Sequence, residues 1–288
     1  MVTETELALP GGRALHVYDT GGPGRLAVFW HHGTPNTGAP PGPLLPLAAE
    51  LGVRFVSFDR PGYRTSTAVP GRTVGDVAGC VASVADALGI GSFALLGHSG
   101  GGSHALACAA LLPDRVRAVA SLAAVAPFDA EGLDWFGGMA DASAASLRAA
   151  AAGRAAKEKH EDTAEFDPEV FTAADMAALR GSWSWLDEVA RAALADGRGG
   201  LIDDDLAYVA PWGGDPARIT APVLLVHGEQ DRMIPAAHSA WLAERCPDAE
   251  YRPSPGDGHL SVLRHAADVL TWLADQGSRT SEPTTGAR

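Results

Sequence analysis

Phe93-Ala94-Leu95-Leu96-Gly97-His98-Ser99-Gly100-Gly101-Gly102 opens on four consecutive apolar side chains and closes on three consecutive glycines, with a single serine between. A short continuous apolar run bounded by turn residues reads as a strand buried on both faces, the kind found in parallel sheets. After Gly100 the chain becomes rich in Ala, Leu and Cys and continues so to Pro113, which reads as a helix stopped by proline. Ser99 therefore sits on a tight strand-to-helix turn, where flanking glycines remove the Cβ atoms that would clash. The next amide, that of Gly100, opens the helix, where unpaired N–H groups and the helix dipole favour a developing negative charge. The structural alternative is a glycine-rich turn whose serine merely caps the helix.

Outward from this turn the chain alternates strands and helices. Glu4 to Leu9 and Arg13 to Asp19 read as a hairpin around Pro10-Gly11-Gly12. Leu26 to Trp30 and Val53 to Phe58 are further apolar strands, separated by a Gly/Pro-rich loop from His31 to Pro43 and a helix over Leu44 to Leu51. A helix over Val74 to Leu88 with Thr73 as N-cap precedes Phe93, and Val116 to Val125 supplies another strand. Val223 to Val226 and Ala249 to Arg252 read as strands, Ala236 to Arg245 and Leu260 to Ala274 as helices. This alternation predicts an α/β fold with a mostly parallel central sheet and helices on both faces. It stops between Pro127 and about Thr220, where Ala-rich helical sequence carries Trp135, Phe136, Trp183, Trp185 and Trp212. The expected division is a core of 1–126 and 221–275, a helical cap of 127–220 and a mobile tail of 276–288.

Composition bounds the function. The 288 residues, 46% hydrophobic and 20% charged, suit a globular chain with a sizeable core. A net charge of −13 with no basic block argues against nucleic acid as a partner. The Ala-rich run from Ala140 to Ala156 is broken by Asp141, Arg148 and Arg154, so no membrane span is expected. The acidic N-terminal stretch lacks the features of a secretory signal, and Cys80, Cys108 and Cys246 are odd in number and widely spaced, which fits a reducing, cytoplasmic compartment. His31-His32 and Asp203-Asp204-Asp205 lack metal-ligand spacing, and the acidic triplet reads as a solvated face. With no Gly-rich nucleotide loop, no metal or other cofactor is expected.

Several motifs beside Gly97–Gly101 resemble those of the α/β-hydrolase superfamily, over nearly all of the chain except the cap and tail. His31-His32-Gly33-Thr34-Pro35 looks like the family's oxyanion loop, which implies the backbone N–H groups of Thr34 and Gly100 as oxyanion donors. Phe58-Asp59-Arg60-Pro61-Gly62-Tyr63-Arg64 resembles the turn after the next strand, with Arg64 where glycine is common, and reads as structural, Asp59 or Arg60 bracing the loop.

A serine hydroxyl is a poor nucleophile at neutral pH. It needs a neutral imidazole to take its proton, and the imidazole needs a carboxylate to hold its tautomer and stabilise its charged form. Val223 to Val226 runs into His227-Gly228-Glu229-Gln230-Asp231, which resembles the family's acid-bearing loop and implies Asp231; Glu229, Asp257 and Asp129 are the other carboxylates in reach of the role. His259 follows on the loop Gly256-Asp257-Gly258-His259, completing the chain order Ser99, Asp231, His259. The resemblance implies a serine hydrolase of a carboxylic ester of a small, largely apolar molecule. A proline iminopeptidase-like aminopeptidase, a C–C bond hydrolase and a non-catalytic ligand-binding receptor are the alternatives. Gly100-Gly101 lacks the tryptophan usual after the serine of iminopeptidases. His31 is either a residue ordering the oxyanion loop or a packed histidine, and the cap aromatics are expected to be core.

Overall fold

The computed structural model describes residues 1–279 except Pro23 and Phe166. Eight strands form one sheet: β1 (Thr3–Leu9), β2 (Arg13–Asp19), β3 (Leu26–His31), β4 (Val53–Phe58), β5 (Phe93–His98), β6 (Val116–Leu122), β7 (Val223–Gly228) and β8 (Ala249–Ser254). Their spatial order is β1-β2-β4-β3-β5-β6-β7-β8. The hairpin β1–β2 and its edge against β4 are antiparallel, and every other pairing is parallel.

Helices α1 (Leu45–Leu51), α2 (Val77–Ala87), α3 (Gly100–Leu111), α9 (Ala237–Arg245) and α10 (Ala266–Arg279) make the crossovers and close the chain. Successive strand residues point to opposite faces, and the packing follows that alternation. Phe93 and Leu95, with Phe29, Val119, Val223 and Leu225, pack toward α2, α3 and α9. Ala94 and Leu96, with Val28, Ala120, Leu224 and Val226, pack toward α1 and α10. Burial on both faces is why the strands read as continuous apolar runs.

The spatial order reverses at β3: the chain leaves it for β4 on one side and returns to β5 on the other. Open parallel sheets form a crevice at such a reversal, outside the carboxyl ends of the strands. The loops after β3 and β5 therefore share one crevice, with His31 in register with Gly97.

Between β6 and β7 lie helices α4 (Asp141–Ala151), α5 (Arg154–Thr163), α6 (Ala173–Arg180), α7 (Trp185–Leu194) and α8 (Gly199–Tyr208). Their polar contacts reach the loops after β3, β4 and β8, so this insertion sits at the carboxyl edge of the sheet. Trp135, Trp183 and Trp212 are buried in apolar clusters. Among the described residues no helix is long and apolar enough to cross a membrane.

Four details differ from the sequence reading. Helix α2 begins at Val77 instead of Val74: Thr73 Oγ1 accepts from the Asp76 N–H at 3.3 Å while Asp76 accepts from the Thr73 N–H at 2.7 Å, tightening a turn ahead of the helix. Strand β6 ends at Leu122 because Ala123 turns to φ 55°. The closing helix is split into a 3₁₀ turn, Ser261–His265, and α10. Helix α10 continues to Arg279, so residues 276–279 of the expected tail are helical, and the rest of that segment lies outside the described residues.

Candidate active site

The turn after β5 is built by close backbone approach. A Cβ on Gly97 would overlap the Gly101 carbonyl, and one on Gly101 would overlap that of His31. With those glycines the chain reverses sharply enough to leave Ser99 at φ 56° and ψ −132°, outside the regions open to ordinary residues. Such a conformation costs on the order of 1–3 kcal/mol and persists only where the surroundings enforce it. Here the Ser99 N–H donates to the Leu122 carbonyl at 2.8 Å and its own carbonyl accepts from Gly102 N–H at 2.8 Å.

The structure brings the three separated residues together. His259 Nε2 lies 2.9 Å from Ser99 Oγ, and His259 Nδ1 lies 2.7 Å from Asp231 Oδ2. Asp231 Oδ1 accepts from the N–H groups of Met233 and Ile234, both at 2.9 Å, and Oδ2 is also 3.2 Å from His227 Nε2. The other carboxylates are elsewhere: Asp129 and Glu229 are exposed, and Asp257 accepts from Ser254 and Arg264.

Burial raises the Asp231 carboxyl, but the charge of His259 and the hydrogen bonds from His227 and His259 outweigh it and hold the group far below its ordinary value. For His259, burial favours the neutral ring, while the charge and hydrogen bond of Asp231, with the charge of Asp175 behind, push its basicity above the usual 6.5.

The loop after β3 stands beside the serine: a Cβ built on Gly33 would lie 3.5 Å from Ser99 Cβ. Among the described residues the Thr34 N–H has no acceptor. Gly100, as the first residue of α3, has no carbonyl one turn back to which its N–H could donate.

Several residues near the site had no signal in the local sequence. His98 Nε2 donates to the His259 carbonyl at 2.9 Å, and burial lowers its pKa to about 3, so the ring stays neutral. Asp175, on α6, caps the 3₁₀ turn that follows His259: its Oδ1 accepts from the N–H groups of Leu260 and Ser261 at 2.8 and 2.7 Å. The acidic triplet on α8 is not a solvated face. Asp203 pairs with Arg154, Asp204 with Arg60 and Arg72, and Asp205 with Lys157, and all three are buried. Four cations drawn from different segments replace the water that an isolated acidic run would keep, and each sits too far along the chain for a local pattern to reveal.

Asp59 and Arg60 do brace the loop after β4. Asp59 accepts from the Gly38 N–H at 2.6 Å, and Arg60 donates to Asp204. Arg64 takes the left-handed conformation that glycine favours, φ 47°, and its guanidinium donates to Tyr18 Oη at 2.7 Å. His31 is a packed, buried ring set edge-on to Phe58.

A family model described as the alpha/beta hydrolase fold matches residues 27–266. The chain belongs to the α/β-hydrolase fold family. Within that family it is 33% identical over 98 residues to a pimeloyl-[acyl-carrier protein] methyl ester esterase of Aromatoleum aromaticum, covering 34% of this chain and 37% of that protein. It is 36% identical over 129 residues to an epoxide hydrolase of Caballeronia sordidicola, covering 42% of this chain and 37% of that one. The matched stretch thus spans little more than a third of each relative's length. A thermophilic esterase from Thermogutta terrifontis superimposes with a TM-score of 0.68 at 20% identity, over 96% of this chain and 99% of the other. At that identity the likeness speaks for the α/β-hydrolase fold alone.

Proposed function

We propose that this α/β hydrolase is a serine hydrolase cleaving a carboxylic ester, or a related acyl bond, of a small and largely apolar substrate through an acyl-enzyme. One observation carries the reading: His259 Nε2 stands 2.9 Å from Ser99 Oγ while its Nδ1 stands 2.7 Å from Asp231. With Asp231 ionised, Nδ1 keeps its proton and donates it to the carboxylate, leaving Nε2 as the lone-pair nitrogen that faces the hydroxyl. As Ser99 Oγ attacks the substrate carbonyl, its proton passes to Nε2, and Asp231 stabilises the imidazolium that forms. The carbonyl oxygen, now an alkoxide, is received by the N–H groups of Thr34 and Gly100. Collapse of the tetrahedral intermediate expels the alcohol, which takes the proton from Nε2, and water repeats the sequence on the acyl-serine.

The nucleophile sets this reading apart from epoxide opening. Epoxide hydrolases of this fold attack with an aspartate, and this chain has serine at the elbow, which suits acyl transfer. Ser99→Ala is expected to lower turnover of p-nitrophenyl esters by ~10⁴-fold or more, the scale seen when a nucleophile is removed. A fluorophosphonate probe is expected to label the native protein and not the variant. Undiminished ester turnover by Ser99→Ala sinks the reading, and ligand binding without labelling favours the receptor alternative.

A further inference from the structure

The loop that bears the Thr34 amide is held from behind by one guanidinium. Arg60 Nη2 donates to the Gly33 carbonyl at 3.1 Å, and Arg60 Nη1 donates to the His32 carbonyl. His32 Nδ1 donates to the same Gly33 carbonyl at 2.9 Å, and its Nε2 accepts from the Arg60 N–H at 3.2 Å, which sets the tautomer of that ring. The peptide joining Gly33 to Thr34 is trans. In a trans peptide the carbonyl and the following N–H point in opposite directions. Turning the Gly33 carbonyl toward Arg60 therefore aims the Thr34 N–H away from Arg60.

Arg60 is in turn held by the insertion. Asp204 of α8 takes the guanidinium in a two-pronged grip, Nε to Oδ1 at 3.0 Å and Nη2 to Oδ2 at 2.6 Å, with both side chains almost wholly buried. Its oxygens also accept from Thr34 Oγ1 at 2.6 Å, Tyr63 Oη at 2.7 Å and Arg72 Nη2 at 2.6 Å. One turn further along α8, the Tyr208 hydroxyl lies 2.8 Å from Thr34 Oγ1, and it would overlap a Cβ on Gly100. Helix α8 thus touches both backbone segments that bear the proposed oxyanion donors.

We propose that Asp204 is a positioning residue for the reaction: through its fork with Arg60, helix α8 of the insertion sets the direction of the Thr34 N–H. The oxyanion site is then complete only when the insertion is docked. This rests on the reading of Thr34 and Gly100 as oxyanion donors. A fork that served stability alone would change melting temperature and leave the kinetics of folded molecules untouched.

The test uses Asp204→Asn in the full chain, assayed well below its own melting temperature. Because removing one charge of a buried pair can unfold a protein, Thr34→Val is measured alongside; it keeps the Arg60–Asp204 ion pair and the backbone amide and loses the hydroxyl through which Arg60 Nη2, Asp204 and Tyr208 together hold Thr34. For Asp204→Asn, kcat on a p-nitrophenyl ester is expected to fall ~10- to 100-fold with KM little changed, short of the ~10²–10³ reported for outright loss of an oxyanion donor. Affinity for an aryl trifluoromethyl ketone, whose hemiketal oxygen occupies the oxyanion position, is expected to fall by the same factor. Thr34→Val is expected to lower both by a few-fold. Wild-type kcat and ketone affinity in folded Asp204→Asn, or in Thr34→Val where Asp204→Asn does not fold, overturns the proposal and leaves acyl transfer standing. A native protein that neither turns over esters nor binds the ketone overturns both.

Discussion

In the proposed mechanism, His259 is the residue whose protonation decides whether Ser99 can lose its proton. Burial favours its neutral form, but Asp231 at 2.7 Å, with Asp175 behind, prevails and lifts its basicity above 6.5. Only the neutral ring accepts the serine proton, so kcat/KM is expected to fall with acidification through a midpoint above 6.5, read from a pH–rate profile on an activated ester. Asp231→Asn removes the charge that stabilises the imidazolium. It is expected to move that midpoint downward and to cost ~10⁴-fold in kcat through the wrong tautomer. At this scale much was legible: Ser99 and Asp231 each stand in a glycine-bearing loop at the end of an apolar run, His259 stands on a glycine-rich loop ahead of the last helix, and the likeness of Gly228-Glu229-Gln230-Asp231 to the family's acid-bearing loop picked Asp231 over Glu229 and Asp257. His98, Asp175 and Asp204 were not legible, because a side chain that hydrogen-bonds a loop far along the chain leaves no local trace.

At the scale of elements, the strand-to-helix turn is set by how closely its backbone packs. Gly101→Ala would drive a methyl group into the His31 carbonyl, where a strand backbone has no room to withdraw. The variant is expected to lose more than about 3 kcal/mol of stability in urea unfolding, the range of overpacking and backbone strain together. A loss under 1 kcal/mol would mean that the turn relaxes easily. The strands of the parallel core were legible because burial on both faces leaves an unmistakable apolar run. Their ends were less so: β6 stops at Leu122 where Ala123 turns to positive φ, although apolar sequence continues to Val125. The insertion was legible as helical but not in its attachments, since Asp203, Asp204 and Asp205 look like a hydrated run until Arg154, Arg60, Arg72 and Lys157 are brought against them.

Across the whole molecule, buried neutral histidines make the fold sensitive to acid. Burial lowers His98 to about 3 and His104 and His238 to about 4, and holds His31 and His32 well below 6.5. Below about 6.5 the unfolded chain takes up protons at these five positions that the folded chain refuses, so unfolding free energy falls with pH. Each contributes at most about 1.4 kcal/mol per pH unit. His259 opposes them, because its raised basicity adds stability that is present below 6.5 and lost as pH rises through its folded value. Five outweigh one, so the urea midpoint is expected to be lower at pH 5 than at pH 7.5; an equal or higher midpoint would contradict this balance.

The linear order of residues by itself determined the α/β alternation and the serine turn, because strand burial and backbone reversal are written in runs of neighbouring side chains, and its likeness to α/β-hydrolase motifs pointed to Asp231 and His259. Tertiary structure alone decided that β3 and β5 lie side by side, so that two amides and one hydroxyl share a crevice. It alone placed Asp204 of α8 against Arg60, because charges buried in pairs are chosen by contact in space, and contact between residues more than a hundred positions apart is fixed only when the sheet and its insertion close together.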